Sequence, residues 1–304
     1  MSVYLPIAGL SLNIAILLML GGGIGFLSGL FGVGGGFLLT PLLIFLGVPS
    51  PVAVATGANQ VVGASVSGVI AHWRRKNVDF KMGLVLVIGG MVGAYVGVRL
   101  FARLQALGQV DLVINLCYAL LLGFVGLTML AESIRALLLS KSAQPTHKRH
   151  RHILAKLPFK MRFARSGLYI SALIPLAVGA IGGILAAIMG VGGGFMMVPL
   201  MIYLLEMPTS VVIGTSLFQI IFVTANVTFL QAIETQTVDV VLMLTLLIGG
   251  VVGAQLGARF GAKIRAEHLR ILLALLVLAV CTRLLAELTG TPADLYSLTN
   301  APGS

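Results

Sequence analysis

The chain has 304 residues, of which 58% are hydrophobic and 10% charged, and its mean hydropathy is +1.07. Soluble domains carry about 25% charged residues, so a water-solvated fold is excluded and the chain reads as a polytopic membrane protein. The net charge of +11 does not point to nucleic acid, because the positive charges gather in loops rather than along one face.

The first twenty residues, MSVYLPIAGLSLNIAILLML, have no basic n-region and no small-residue cleavage site. They read as a retained first helix rather than a signal peptide. Apolar stretches follow at about 8–31, 37–48, 52–73, 79–105 and 109–139, then at about 168–189, 195–206, 209–232, 238–262 and 267–289. Most reach the ~20 residues that a helix needs to cross a bilayer. The stretches at 37–48 and 195–206 are too short, since twelve residues make only ~18 Å of helix. An all-α membrane fold with 8–10 embedded helices is expected, divided into a first repeat (1–139), a basic loop (140–167) and a second repeat (168–304).

Eight of the twenty Lys/Arg lie between Lys141 and Arg165, with no Asp or Glu among them. Such a loop is expected on the cytoplasmic side, because positive charge resists translocation; a lipid-headgroup role is the lesser alternative. His147, His150 and His152 in this loop lack Cys or carboxylate neighbours, so no metal site is expected there. Cys117 and Cys281 lie in apolar segments and read as small buried hydrophobes rather than a disulfide.

The two halves match in register. GVGGGF occurs at Gly32–Phe37 and again at Gly190–Phe195, followed by Pro41 and Pro199. Pro49, Val52, Thr56 and Gln60 match Pro208, Val211, Thr215 and Gln219, and Val78–Arg99 matches Val238–Arg259. Retention of Asp, Thr, Gln, Pro and Gly in register marks a duplication, a feature of transporter folds. At the start of Val78–Arg99 stand four Lys/Arg (Arg74, Arg75, Lys76 and nearby Lys81) and at its end two (Arg99 and Arg103); in the second copy the numbers are none and four. This reversal predicts inverted repeats.

Glycine-rich words cannot sustain a straight helix, and irregular backbone at membrane depth must be buried in protein or line a cavity. The short helix after each word presents unpaired N–H groups and about +0.5 charge at its start, an anion-binding device. Close helix packing is the competing reading. It fits Gly89, Gly93 and Gly97, and Gly249, Gly253, Gly257 and Gly261, which recur every four residues. The short following segment and the duplication favour a substrate site for Gly34, Gly35, Gly36, Gly192, Gly193 and Gly194. Thr56, Asn59 and Gln60 share one helix face, as do Thr215 and Gln219, with Ser216 beside them and Asn226 further on. These polar groups serve either as interhelical glue or as a pocket beside the Gly words.

All nine acids (Asp79, Asp111, Glu132, Glu206, Glu234, Asp239, Glu267, Glu287 and Asp294) fall near segment ends or in loops. A cation path or carboxylate proton relay needs an acid within the span, so neutral donors without a carboxylate suit an anion. Asp79 and Asp239 read as helix N-caps. His72 and Trp73 read as an interfacial belt.

The repeated G-x-G-G-G-F with its Pro, the T-x-x-x-Q after each copy and the long basic central loop resemble the TauE/SafE sulfite exporter family of membrane permeases. The resemblance covers about residues 8–288. It implies transport of sulfite, sulfonates or related organic anions across the plasma membrane of a prokaryote. The copies differ at Gly57/Ser216 and Asn59/Phe218, so the two half-sites are not chemically identical. The expected function is therefore a secondary transporter of a small anion by alternating access, with lipid as solvent and an ion gradient as the default coupling. No G-x-x-x-x-G-K-[ST] motif is present, and no cofactor is expected. An anion channel is the alternative. A membrane-embedded enzyme is disfavoured, because the chain has no H-E-x-x-H and no His in the middle of a long apolar segment.

Overall fold

The computed structural model describes residues 2–31, 36–138, 158–261 and 266–289. Gly34, Gly35 and the three loop histidines lie outside the described residues. Each half opens with a two-stranded antiparallel hairpin: β1 (Ser2–Leu5) with β2 (Leu10–Asn13), and β3 (Lys160–Phe163) with β4 (Leu168–Ser171). The helices of the first half are α1 (Ile14–Phe31), α2 (Gly36–Phe45), α3 (Ser50–Arg74), α4 (Phe80–Ala106) and α5 (Val110–Leu138). Those of the second are α6 (Leu173–Met189), α7 (Gly194–Tyr203), α8 (Thr209–Glu234), α9 (Val240–Gly261) and α10 (Ala266–Thr289). Five of them, α3, α4, α5, α8 and α9, contain stretches long and apolar enough to cross a bilayer. The short helices α2 and α7 have ten residues each, about 15 Å of rise.

The hairpins correct the expected segments 8–31 and 168–189, which are not single helices. Gly9 and Gly167 each adopt φ +67° in the turn, a left-handed conformation that a residue without Cβ adopts without strain. The strand after each turn alternates in burial rather than following helical period. The first helix accordingly starts at Ile14. Other boundaries follow local signals. Pro49 and Pro208 precede α3 and α8, and Asp79 caps α4 by accepting the Met82 N–H. The α6 helix ends in Gly190 at φ +69°.

Packing crosses the two halves. The α1 helix lies along α9, α4 along α6, and α3 against α8, while α5 pairs with α10. The four-residue glycine stripes make the first two contacts possible. A Cβ at Gly89 or Gly93 would overlap the carbonyl oxygens of Leu176 and Ala180 on α6. One at Gly253 or Gly257 would overlap those of Gly22 and Phe26 on α1. The opposite face of α4 presents Leu84, Ile88, Val92 and Val96, all exposed, as expected of a side turned to lipid. Cys281 is buried and its thiol donates to the Ala119 carbonyl at 3.3 Å.

The equivalent helices α3 and α8 run antiparallel, because the start of each meets the residues just beyond the end of the other. The Asp239 N–H, after α8, donates to Thr56 Oγ1 in the second turn of α3 (3.2 Å), and the Asp79 N–H, after α3, donates to Thr215 Oγ1 in α8 (3.0 Å).

Candidate functional site

The second Gly word is held in a shape that only glycine takes easily: Gly190, Gly192 and Gly193 have φ of 69°, 70° and 70°. A Cβ at Gly192 would stand 2.7 Å from Thr224 Cγ2, 2.9 Å from Val61 Cγ1 and 3.0 Å from Ile220 Cγ2. The turn is therefore wedged into the α3–α8 crossing. Gly36, the described end of the first word, lies against the second word, since its Cβ would be 3.2 Å from Val191 Cα and 3.3 Å from the Gly190 oxygen. The first residue of α2 thus meets the beginning of the turn that leads from α6 into α7. Gly193 precedes α7 and accepts the Met197 N–H (2.8 Å). The earlier N–H groups of α7 have no acceptor within the helix and carry the positive end of its dipole.

The polar residues divide into distinct roles. Gln60 and Gln219 are buried at equivalent positions on α3 and α8. Gln60 Nε2 donates to the Gly21 carbonyl at 3.0 Å, whereas neither amide atom of Gln219 has a partner. Thr56 and Thr215 are fully buried and receive the aspartate N–H groups described above. Asn59 and Ser216 bond locally, to the carbonyls of Ala55 (3.5 Å) and Ile213 (3.0 Å). Gly194 opens α7 as its first residue.

The two aspartates do more than cap. Asp79 accepts the Met82 N–H (3.2 Å) and also the N–H (3.0 Å) and hydroxyl (2.8 Å) of Ser166, in the β3–β4 turn. Asp239 accepts the N–H groups of Val241 and Leu242 (both 3.1 Å) and those of Ile7 (3.0 Å) and Ala8 (3.4 Å), in the β1–β2 turn. Each carboxylate thereby ties one half's hairpin to the other half's helix start and, through its own N–H, to a central helix. Both are buried, and the several N–H donors offset the desolvation of the charge.

Sequence reasoning missed Tyr118 on α5. It is fully buried and its hydroxyl donates to the Met189 carbonyl, the last residue before the second Gly word. A Tyr in an apolar helix looks like any other core residue, and nothing in its local sequence signals this partner. Every described Lys and Arg side chain is exposed. Among the described residues, no cationic side chain is therefore buried at the crossing.

The family model for the sulfite exporter TauE/SafE matches residues 17–284. The chain belongs to the TauE/SafE family. It is 30% identical over 241 residues to the probable membrane transporter protein YjnA of Bacillus subtilis, covering 79% of this chain and 87% of that one. A probable membrane transporter protein of Xylella fastidiosa is 30% identical over 233 residues, 76% of this chain and 78% of its own. The sulfite exporter TauE/SafE family protein 3 of Arabidopsis thaliana is 31% identical over 118 residues, 36% of this chain and 25% of its own. No solved structure matches the chain. This TauE/SafE chain is thus a membrane transporter by family. The match covers both Gly words, both central glutamines and both aspartates.

Proposed function

We propose that the chain is a secondary transporter that carries a small anion, a sulfur oxyanion such as sulfite or a sulfonate or a related organic acid, by alternating access. The observation that supports this reading is the meeting of Gly36, the first residue of α2, with Gly190 and Val191 of the turn leading into α7, beside the α3–α8 crossing. The half-charge of a helix start and neutral hydrogen-bond donors suit an anion of low charge, since the cost of burying an ion rises steeply with its charge. Flux into proteoliposomes across a panel of sulfite, methanesulfonate, sulfoacetate and acetate is expected to depend on the anion. Equal and background flux for all four overturns the reading.

We infer that the repeats are inverted, which the antiparallel run of the equivalent helices supports, and that the chain lies in the plasma membrane of a prokaryote with the loop at 140–167 in the cytoplasm. The Arg165 guanidinium donates to the Lys76 carbonyl at 2.9 Å. The end of that basic loop and the Arg74–Lys76 turn therefore share one face, as the positive-inside bias requires. With Cys117 and Cys281 replaced, a cysteine at Asn77 is expected to react with impermeant reagents only from the cytoplasm and one at Thr235 only from outside. Labelling of both from one side excludes inversion.

A further inference from the structure

The two glutamines of the duplicated T-x-x-x-Q occupy equivalent places on α3 and α8, yet their amides do opposite things. Gln60 Nε2 donates across to the Gly21 carbonyl of α1 at 3.0 Å, and it packs on α9, where a Cβ at Gly250 would stand 2.7 Å from that nitrogen. The carbonyl equivalent to that of Gly21 in the second half belongs to Gly179, at the same 158-residue offset as the Gly words. Gln219 does not bond it. Gln219 is fully buried, with both its Nε2 and its Oε1 unpartnered. Among the described residues it is the one buried amide with no partner for either atom. Burying such a group without hydrogen bonds is costly, so a position that keeps it needs a reason outside packing.

Its surroundings supply one. The amide nitrogen lies between the glycines of two packed helices, 3.3 Å from where a Cβ at Gly90 would be and 3.7 Å from one at Gly182. Gly182 in turn touches both sides of the α7 helix start: a Cβ on Gly193 would stand 2.8 Å from the Gly182 oxygen, and a Cβ on Gly182 would meet the Met197 side chain in the first turn of α7. The free amide therefore sits next to the helix start whose first N–H groups lack intrahelical acceptors.

We propose that the two half-sites have divided their roles: Gln60 is a structural lock between α1, α3 and α9, and Gln219, with the Gly192–Gly193 turn and the first turn of α7, is the half that takes the anion. The ligand is a small, singly charged oxyanion whose oxygens accept from Gln219 Nε2 and from the backbone. This inference rests on the transporter reading above. It further assigns the binding half, which the sequence differences at Gly57/Ser216 and Asn59/Phe218 leave open.

The test compares Gln219→Leu with Gln60→Leu in purified full-length protein, reading thermal unfolding and proteoliposome flux of methanesulfonate and sulfite. Gln219→Leu removes an unpartnered buried amide and is expected to raise Tm by about 2–6 °C. The same variant lowers anion binding by about 10- to 100-fold, the range for one hydrogen bond to a charged group, read as loss of the anion-induced rise in Tm. Gln60→Leu is expected to lower Tm by several degrees while the surviving folded protein keeps its anion response. Loss of stability in Gln219→Leu comparable to that in Gln60→Leu, or unchanged anion response in Gln219→Leu, overturns the proposal. If the wild-type protein neither moves nor is stabilised by any of the anions, it is the transporter reading that fails. Where Gln60→Leu does not fold, Gln219→Leu and the milder Gln219→Glu still decide the matter. The added carboxylate of Gln219→Glu should repel the anion and abolish its effect on Tm; a retained effect overturns the proposal.

Discussion

Gly93→Ala is expected to abolish accumulation of folded protein, seen as loss of the monodisperse peak on size-exclusion chromatography in detergent. The added methyl would overlap the carbonyl oxygen of Ala180 and stand 2.7 Å from its carbonyl carbon and 2.8 Å from its Cα. These are backbone atoms, so no side-chain rotation can relieve the clash. The α4 and α6 helices would have to separate along their length. That would also loosen the neighbouring contacts of Gly89 with Leu176 and of Gly183 with Gly90. In a bilayer, close packing supplies much of the association energy, and overpacking that shifts backbone on this scale falls in the exceptional class above about 4 kcal/mol. Gly253→Ala should act alike against Gly22. Gly23→Ala is the matched control, because its Cβ would meet nothing within 4 Å. Its effect should be neutral, or stabilising by up to about 1 kcal/mol from helix propensity.

Gly193→Val is expected to lower the initial rate of anion uptake by at least about 100-fold while leaving the protein inserted in the membrane. Gly193 has φ +70°, a conformation that costs an L-residue about 1–2 kcal/mol and a β-branched one more. Its Cβ would also stand 2.8 Å from the Gly182 oxygen. The turn must therefore reshape, and the start of α7 moves away from Gln219. A misplacement of about 1 Å at such a site is worth about 100-fold in rate. The hairpin residue Gly167 separates strain from site geometry, since it has φ +67° with nothing within 4 Å of its Cβ. Gly167→Val should lower stability by a similar strain yet preserve uptake per folded molecule. Equal uptake in both variants would reduce the second Gly word to a turn without a role in transport.

Much of the architecture was legible before the structure. Hydropathy and length located the embedded segments to within a few residues, apart from the strands at 10–13 and 168–171. Those strands were hidden because each short apolar run abuts a longer helix, and an apolar run alone does not distinguish a strand from a helical turn. Asp79 and Asp239 were recognisable as helix caps, since each stands directly before an apolar run. Their grip on the hairpin turns at Ser166, Ile7 and Ala8 was not, because those partners are 87 to 232 residues distant.

By itself the sequence determined that lipid is the solvent, that its two halves match in register, and that the same Gly word stands at equivalent places in each. Composition, register and glycine's weak helix propensity are properties of the chain alone. Only the tertiary structure decided which backbones the glycine stripes meet. A stripe of small residues permits close approach on one face without naming the partner, so the pairing of α4 with α6 and of α1 with α9 had to come from the fold. The same holds for Gln60 and Gln219. Identical side chains in matching motifs carry the same sequence signal, and whether an acceptor stands 3 Å away depends on how a distant helix is placed.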